Sequence, residues 1–246
     1  MSSPQAPVIE VAGDFSTGDY RGGSLQILAG GSVTLGAVAI IEPGGGFNNS
    51  SVTLSDGTLL SLNGITRPTL DIRAGTTRFF GTPIGNGTPT SANITIRGRI
   101  LSRNDQGTGG DVFLTNQYFP NTSLPGGNIQ VGVIDTSIAP DSDGNNSGSV
   151  TIDSRGSLAI NGLINTATSP VSNLQSAITT NGGKVNLIAQ NDVTLNDNII
   201  SFVGDNPFVR GNGGNISLIS RTGAINASNS GLLSNFSILK SPPTRK

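Results

Sequence analysis

The side chains that could do chemistry in this chain are few, and the two most versatile types are missing. Among its 246 residues there is no Cys and no His. Without a thiol there is neither a disulfide framework nor a thiolate metal site. Without an imidazole, the commonest general base and zinc ligand is gone. Ser-His-Asp and Cys-His mechanisms are therefore excluded. What remains is carboxylate chemistry, and Glu occurs only at Glu10 and Glu42, near the N-terminus. Asp111, Asp135 and Asp153 fall at or near the ends of successive strand-like stretches, with Arg155 on the turn that follows. Aligned on neighbouring coils, they would form an acidic patch with one Arg. A polysaccharide-cleaving site needs such a patch to hold Ca²⁺ or to act as acid and base or nucleophile. Unaligned, they are scattered solvent-facing residues. Asp141–Asn146 is an acidic turn without the spacing of an EF-hand loop. The sequence thus names no catalytic residue, no metal ligand set and no cofactor.

Binding chemistry has one candidate. Tyr118 and Phe119 lie in the loop QYFPN, where an aromatic face could stack on a sugar ring, and Tyr20 offers the same near the N-terminus. The competing reading is that such a loop folds its aromatics back over the core edge.

Short strands must position these residues. The stretch Asn181–Ser201, NGGKVNLIAQNDVTLNDNIIS, holds strand, turn, strand, turn and strand with no helical period. The unit returns at Gly211–Ser228 and appears earlier at Gly148–Asn165. Self-similarity of this kind marks a repeat architecture. Taking the first inward residue of each alternating stretch gives the anchors Leu25, Val52, Leu70, Ile94, Val112, Ile129, Val150, Val185 and Ile216, at uneven steps. Each is followed two residues later by a second apolar residue, usually across a polar one, which is a strand with one buried face. Gly-Gly precedes a strand at Gly22–Gly23, Gly109–Gly110, Gly126–Gly127, Gly182–Gly183 and Gly213–Gly214, and suits a repeated corner with positive φ. A phosphate-binding loop would need a helix after it, and here a strand follows. Ile160–Asn161, Leu195–Asn196 and Ile225–Asn226 place an Asn after an apolar residue at corresponding points. Such Asn side chains could stack as a hydrogen-bonded ladder. Thr77–Ser91, Gln117–Pro125 and Asp141–Ser147 read as loops. A β-sandwich array with Asn-Gly hairpins is the structural alternative, but 4% aromatic residues is too little for its core.

Composition agrees with many short strands and tight turns. Charged residues make up 12% of the chain, Gly numbers 35 and the formal net charge is −1. That balance carries no electrostatic footprint for nucleic acid. Arg97, Arg99 and Arg103 read as a solvated face. No apolar run reaches the length of a membrane-spanning helix, and MSSPQAPVIE is not a signal peptide.

The segments GGNIQV (Gly126–Val131), GGNISL (Gly213–Leu218), TLDIRAG (Thr69–Gly75) and VFLTNQYFPN (Val112–Asn121) resemble repeats of filamentous-haemagglutinin-like exoproteins, in the cyanobacterial type. The resemblance spans about Gly22 to Ser234. It implies a right-handed parallel β-helix, export by two-partner secretion through an outer-membrane transporter, and an adhesin at the cell surface. The family's NPNG and NPNL secretion motifs do not occur here. The expectation is therefore an all-β, right-handed parallel β-helix (solenoid) with loops of variable length. Residues 1–246 would form one elongated segment of a longer repeat protein, with 235–246 as a frayed tail. Its expected role is a secreted or cell-surface shaft, not an enzyme, that attaches to cells or to extracellular polysaccharide. The alternatives are a polysaccharide-degrading β-helix enzyme and a passive spacer.

Overall fold

A computed structural model describes residues 8–44, 50–76, 92–103, 109–116, 126–138, 146–168, 178–203, 209–227, 230–233 and 236–240. Among them there is no helix. Three parallel sheets, of eight, seven and seven strands, form the faces of a prism. The chain visits them in a fixed order. In the coil of the organising stretch, Val185–Ala189 lies in the first sheet, Val193–Leu195 in the second and Ile199–Ile200 in the third. Each strand pairs with its counterpart one coil before and one coil after. This is a parallel β-helix of seven coils with one further strand in the first sheet, Phe236–Lys240.

Alternation sets the inward face. In the first sheet Leu25, Leu70, Val112, Val150, Val185 and Ile216 stand in one register column. Ile27, Ile72, Leu114, Ile152, Leu187 and Leu218 form the next column inward, and all twelve are at most 1% exposed. The second sheet adds Val33, Ile94, Ile129, Leu158 and Val193, and the third adds Val38, Ile100, Ile134, Ile164 and Ile199. Each such side chain contributes about 1.5–3 kcal/mol when fully buried. A single coil has no second layer, so stability arises from stacking neighbours.

The true repeat is longer than the anchor list implies. Ile94 and Ile129 belong to the second sheet, not to the first-sheet column. Val52 lies outside the helix altogether. It sits in an antiparallel hairpin of Ser50–Thr53 with Leu59–Leu62. The segment expected as a frayed tail contains the strand Phe236–Lys240, paired in register with Ile216–Ser220.

The corner glycines have a different reason from the one expected. Gly110, Gly148, Gly183 and Gly214 are not among the positive-φ glycines of the described residues, which are Gly44, Gly57, Gly75 and Gly211. They are needed because a Cβ would strike the previous coil. At Gly148 it would lie 1.8 Å from Gly110 O, at Gly183 1.8 Å from Gly148 O, and at Gly214 1.9 Å from Gly183 O. A buried hydroxyl column runs beside them at the ends of the third-sheet strands: Ser102, Thr136, Thr166 and Ser201, all 0% exposed. Thr136 Oγ1 donates to Gly148 O (2.8 Å) and Thr166 Oγ1 to Gly183 O (2.9 Å). The hydroxyls satisfy carbonyls that the corner would otherwise leave buried and unpaired.

Outer corners are tied by Asn and Asp. Asn196 Nδ2 donates to Asn161 Oδ1 (2.9 Å), one rung of the expected ladder. The third member is out of register, because Ile225 pairs with Val193 and Asn226 with Thr194. A second run does form: Asn181 donates backbone and side-chain N–H to Asn146 Oδ1, and the Asn212 N–H reaches Asn181 Oδ1.

Candidate functional site

The connections differ sharply between the three corners. From second to third sheet the chain always turns briefly, as from Ile96 to Ile100, Val131 to Ile134, Ile160 to Ile164 and Leu195 to Ile199. The long connections leave from the other two corners. Ser102 to Asp111, Asp135 to Val150, Asn165 to Val185 and Ile200 to Ile216 join third to first sheet, while Ala74 to Ile94 and Thr115 to Ile129 join first to second. The connections that vary most in length are thus the two that join the first sheet to its neighbours. Function-bearing segments are commonly such loops held on a rigid scaffold.

The outer face of that sheet is also covered. The hairpin is extruded between the third-sheet strand Val38–Glu42 and the first-sheet strand Thr69–Ala74. Its turn is Ser55-Asp56-Gly57-Thr58, with Gly57 at φ 87°. Leu54 and Leu62 bury against Phe113 and Ile188, with Val52, Leu60 and Ile219 around them. Phe113, Ile188 and Ile219 point outward from three different coils, so the hairpin runs along the helix axis. It forms a second, smaller core outside the first.

The three candidate carboxylates do not meet. Asp135 is in the third sheet. Asp111 and Asp153 lie at opposite ends of neighbouring first-sheet strands, since Asp111 aligns with Ser149 and Asp153 with Thr115. Each is engaged. Asp153 is 0% exposed and fastens the hairpin tip, accepting from Ser55 N–H (2.7 Å) and Ser55 Oγ (2.6 Å). Arg221 donates to Ser55 O from a later coil. Asp135 accepts from Ser137 N–H and Oγ and pairs with Arg99. Asp111 accepts from Ser149 N–H (2.9 Å) and faces Arg67 at 3.7 Å. Arg155 is buried at the first-to-second-sheet corner, its N–H on Asn116 Oδ1 (2.8 Å) and its side chain over Gly126.

A fourth carboxylate, Asp71, is also outward-facing yet fully buried. Arg73 grips it with two N–H donors, at 3.0 and 2.9 Å, and Gln26 Nε2 adds a third at 2.6 Å. The Arg73 guanidinium in turn lies 5.5 Å from the Phe113 ring centroid. These groups are stabilising ties of the hairpin face. Among the described residues no cluster of three Asp or Glu is placed to hold a metal ion.

Beside the hairpin lies a groove of about 370 Å³. One wall is the second hairpin strand, Leu59–Leu62. The floor is the leading end of the first sheet, with Asp111, Ser149, Thr151, Lys184 and Asn186, and Arg67 also lines the groove. A second depression, of about 400 Å³, lies on the second sheet and is lined by Thr95, Arg97, Gln130 and Asn161. Tyr118 and Phe119, the sugar-stacking candidates, lie outside the described residues. Sequence reasoning missed the groove because it took Val52 for a coil strand. The Asp56–Gly57 pair between alternating apolar residues was the available signal for a hairpin.

No helix among the described residues is long and apolar enough to cross a membrane. In comparisons with known proteins, the chain matches no family model, no curated protein and no solved structure.

Proposed function

We propose that this chain is a shaft segment of a secreted or cell-surface adhesin of filamentous-haemagglutinin-like type, exported by two-partner secretion. The observation that carries the reading is the sorting of every long connection to the two corners flanking one face. A continuous aliphatic core makes the shaft stiff. The variable segments and the one hairpin groove are then contact points along it. Partners on this reading are extracellular polysaccharide and the surfaces of other cells. Attachment comes from many weak contacts on one rod, so avidity sets the strength rather than one deep pocket.

Beads carrying many copies of the chain test this against the soluble chain. Many-copy beads should hold to cells or insoluble polysaccharide about 10²-fold or more tightly than the free chain. Equal and negligible retention of both would leave the segment a passive spacer.

A further inference from the structure

The groove beside the hairpin contains polar groups that the fold leaves unmatched. Arg67 Nε and Asn186 Oδ1 are buried without a hydrogen-bond partner, one a donor and the other an acceptor. Lys184 is exposed, and its ammonium makes no ion pair among the described residues. The single carboxylate nearby, Asp111, is engaged by Ser149 N–H and faces Arg67. The groove therefore carries one uncompensated positive charge, and Arg67 and Asn186 line it although their Nε and Oδ1 are themselves closed to solvent. Asp111, Ser149 and Lys184 occupy equivalent positions on three successive coils. They step along the axis by about 4.8 Å per coil, the interstrand spacing. Leu59, 67% exposed, stands on the hairpin wall.

We infer that this groove binds an acidic polysaccharide, taking the carboxylate of one uronate unit on Lys184 with ring hydroxyls on Arg67 and Asn186. The inference rests on the adhesive reading above and names its ligand class. A uronate chain suits the floor for three reasons. Its hydroxyls both donate and accept, so they suit the mixed polar lining of Arg67, Ser149, Thr151 and Asn186. Its carboxylate supplies the missing charge. Its units repeat along an extended line, as the floor positions do. An extended peptide would spend its amides on the free edge of Leu59–Leu62 and leave the floor groups to be met by whatever side chains it carried.

The test is calorimetry of the whole folded chain with an oligouronate, a neutral cello-oligosaccharide and poly-glutamate. It is repeated with Lys184→Gln and, as a control on the second sheet, Arg97→Gln. The oligouronate should bind saturably, and Lys184→Gln should weaken it about tenfold, the loss of one charge-assisted hydrogen bond. Arg97→Gln should leave binding unchanged, and the neutral sugar should bind far more weakly. Unaltered uronate affinity in Lys184→Gln would overturn the assignment, as would equal binding of poly-glutamate. If the chain holds to cells or to neutral glycans but not to uronates, this inference fails while the adhesive reading stands. If it holds to none of them, both fail.

Discussion

Replacing Gly183 by Ala would place a methyl carbon 1.8 Å from Gly148 O and 3.2 Å from Thr166 Cβ. The obstacle is backbone of the neighbouring coil, so no side-chain rotation relieves it. The corner must open, and three hydrogen bonds meet there. Gly183 N–H donates to Thr166 O (2.9 Å), while Thr166 Oγ1 (2.9 Å) and Ser201 Oγ (2.6 Å) both donate to Gly183 O. Weakening all three costs about 1 kcal/mol each, and overpacking adds about 1–3 kcal/mol. The lower entropy of the unfolded Ala chain returns about 0.4–1 kcal/mol. The net loss is about 3–5.5 kcal/mol, which lowers the melting temperature of a chain this size by roughly 10 °C or more. Two further glycines separate the causes. A Cβ on Gly13 meets nothing within 4 Å, so Gly13→Ala should stay within about 0.5 kcal/mol of wild type. Gly57 is equally open but at φ 87°, so Gly57→Ala should cost about 1–2 kcal/mol, confined to the hairpin. The assay is the thermal melt of the β signal in circular dichroism, and a Gly183→Ala variant that melts with Gly13→Ala would refute the close-corner account.

Other outcomes follow from the same structure. Asp153→Asn removes the charge that holds Ser55, so amide exchange across residues 52–60 should speed up by at least tenfold, corresponding to about 1.5–3 kcal/mol of local stability, while exchange in the Val185–Ala189 strand stays slow. Phe113→Ala should cost about 3–5 kcal/mol and release the same hairpin, seen as a new proteolytic cut between residues 50 and 62. Thr166→Val keeps the shape but loses the donor to Gly183 O, and should cost about 1 kcal/mol in a denaturant titration. Burial, and then the charge of Glu42, push the Tyr20 phenol above its ordinary value of 10.0. A raised folded pKa means the protonated phenol is favoured by folding. That contribution is complete below about pH 10 and is lost as the pH rises through the folded value. Stability should therefore fall above pH 10 in wild type and less steeply in Tyr20→Phe, as read by melts across that range.

Much of the fold was legible because period-two alternation survives in every coil. The pairs Val185–Leu187 and Ile216–Leu218 are inward in the structure as the pattern requires. The register between coils was not legible, because the connections vary in length and two sheets share the same apolar signature. Ile94 looked like Leu70 in sequence yet lies on another face. The glycine corner is marked by a Gly pair at three of its four positions, whereas Gly148 is followed by Ser149. Its reason was misread, because positive φ is a local property while the clash with a previous coil is not. The hydroxyl column was invisible for the same reason: Ser102, Thr136, Thr166 and Ser201 look like ordinary turn residues until the coils stack. At the candidate site, the carboxylates could be found as residues but their separation needed the register. The hairpin alone had a local sign, Asp56–Gly57, and recognising it would have revealed the groove.

The claim that this segment adheres is tested most directly by a pull-down. The folded chain, shown folded by cooperative melting, is mixed with intact cells and with insoluble polysaccharides, and both the bound fraction and the soluble sugar released are measured. The account predicts saturable binding and no sugar release. A folded chain that stays in solution with every target would contradict it in favour of a spacer, and liberated sugar would contradict it in favour of an enzyme.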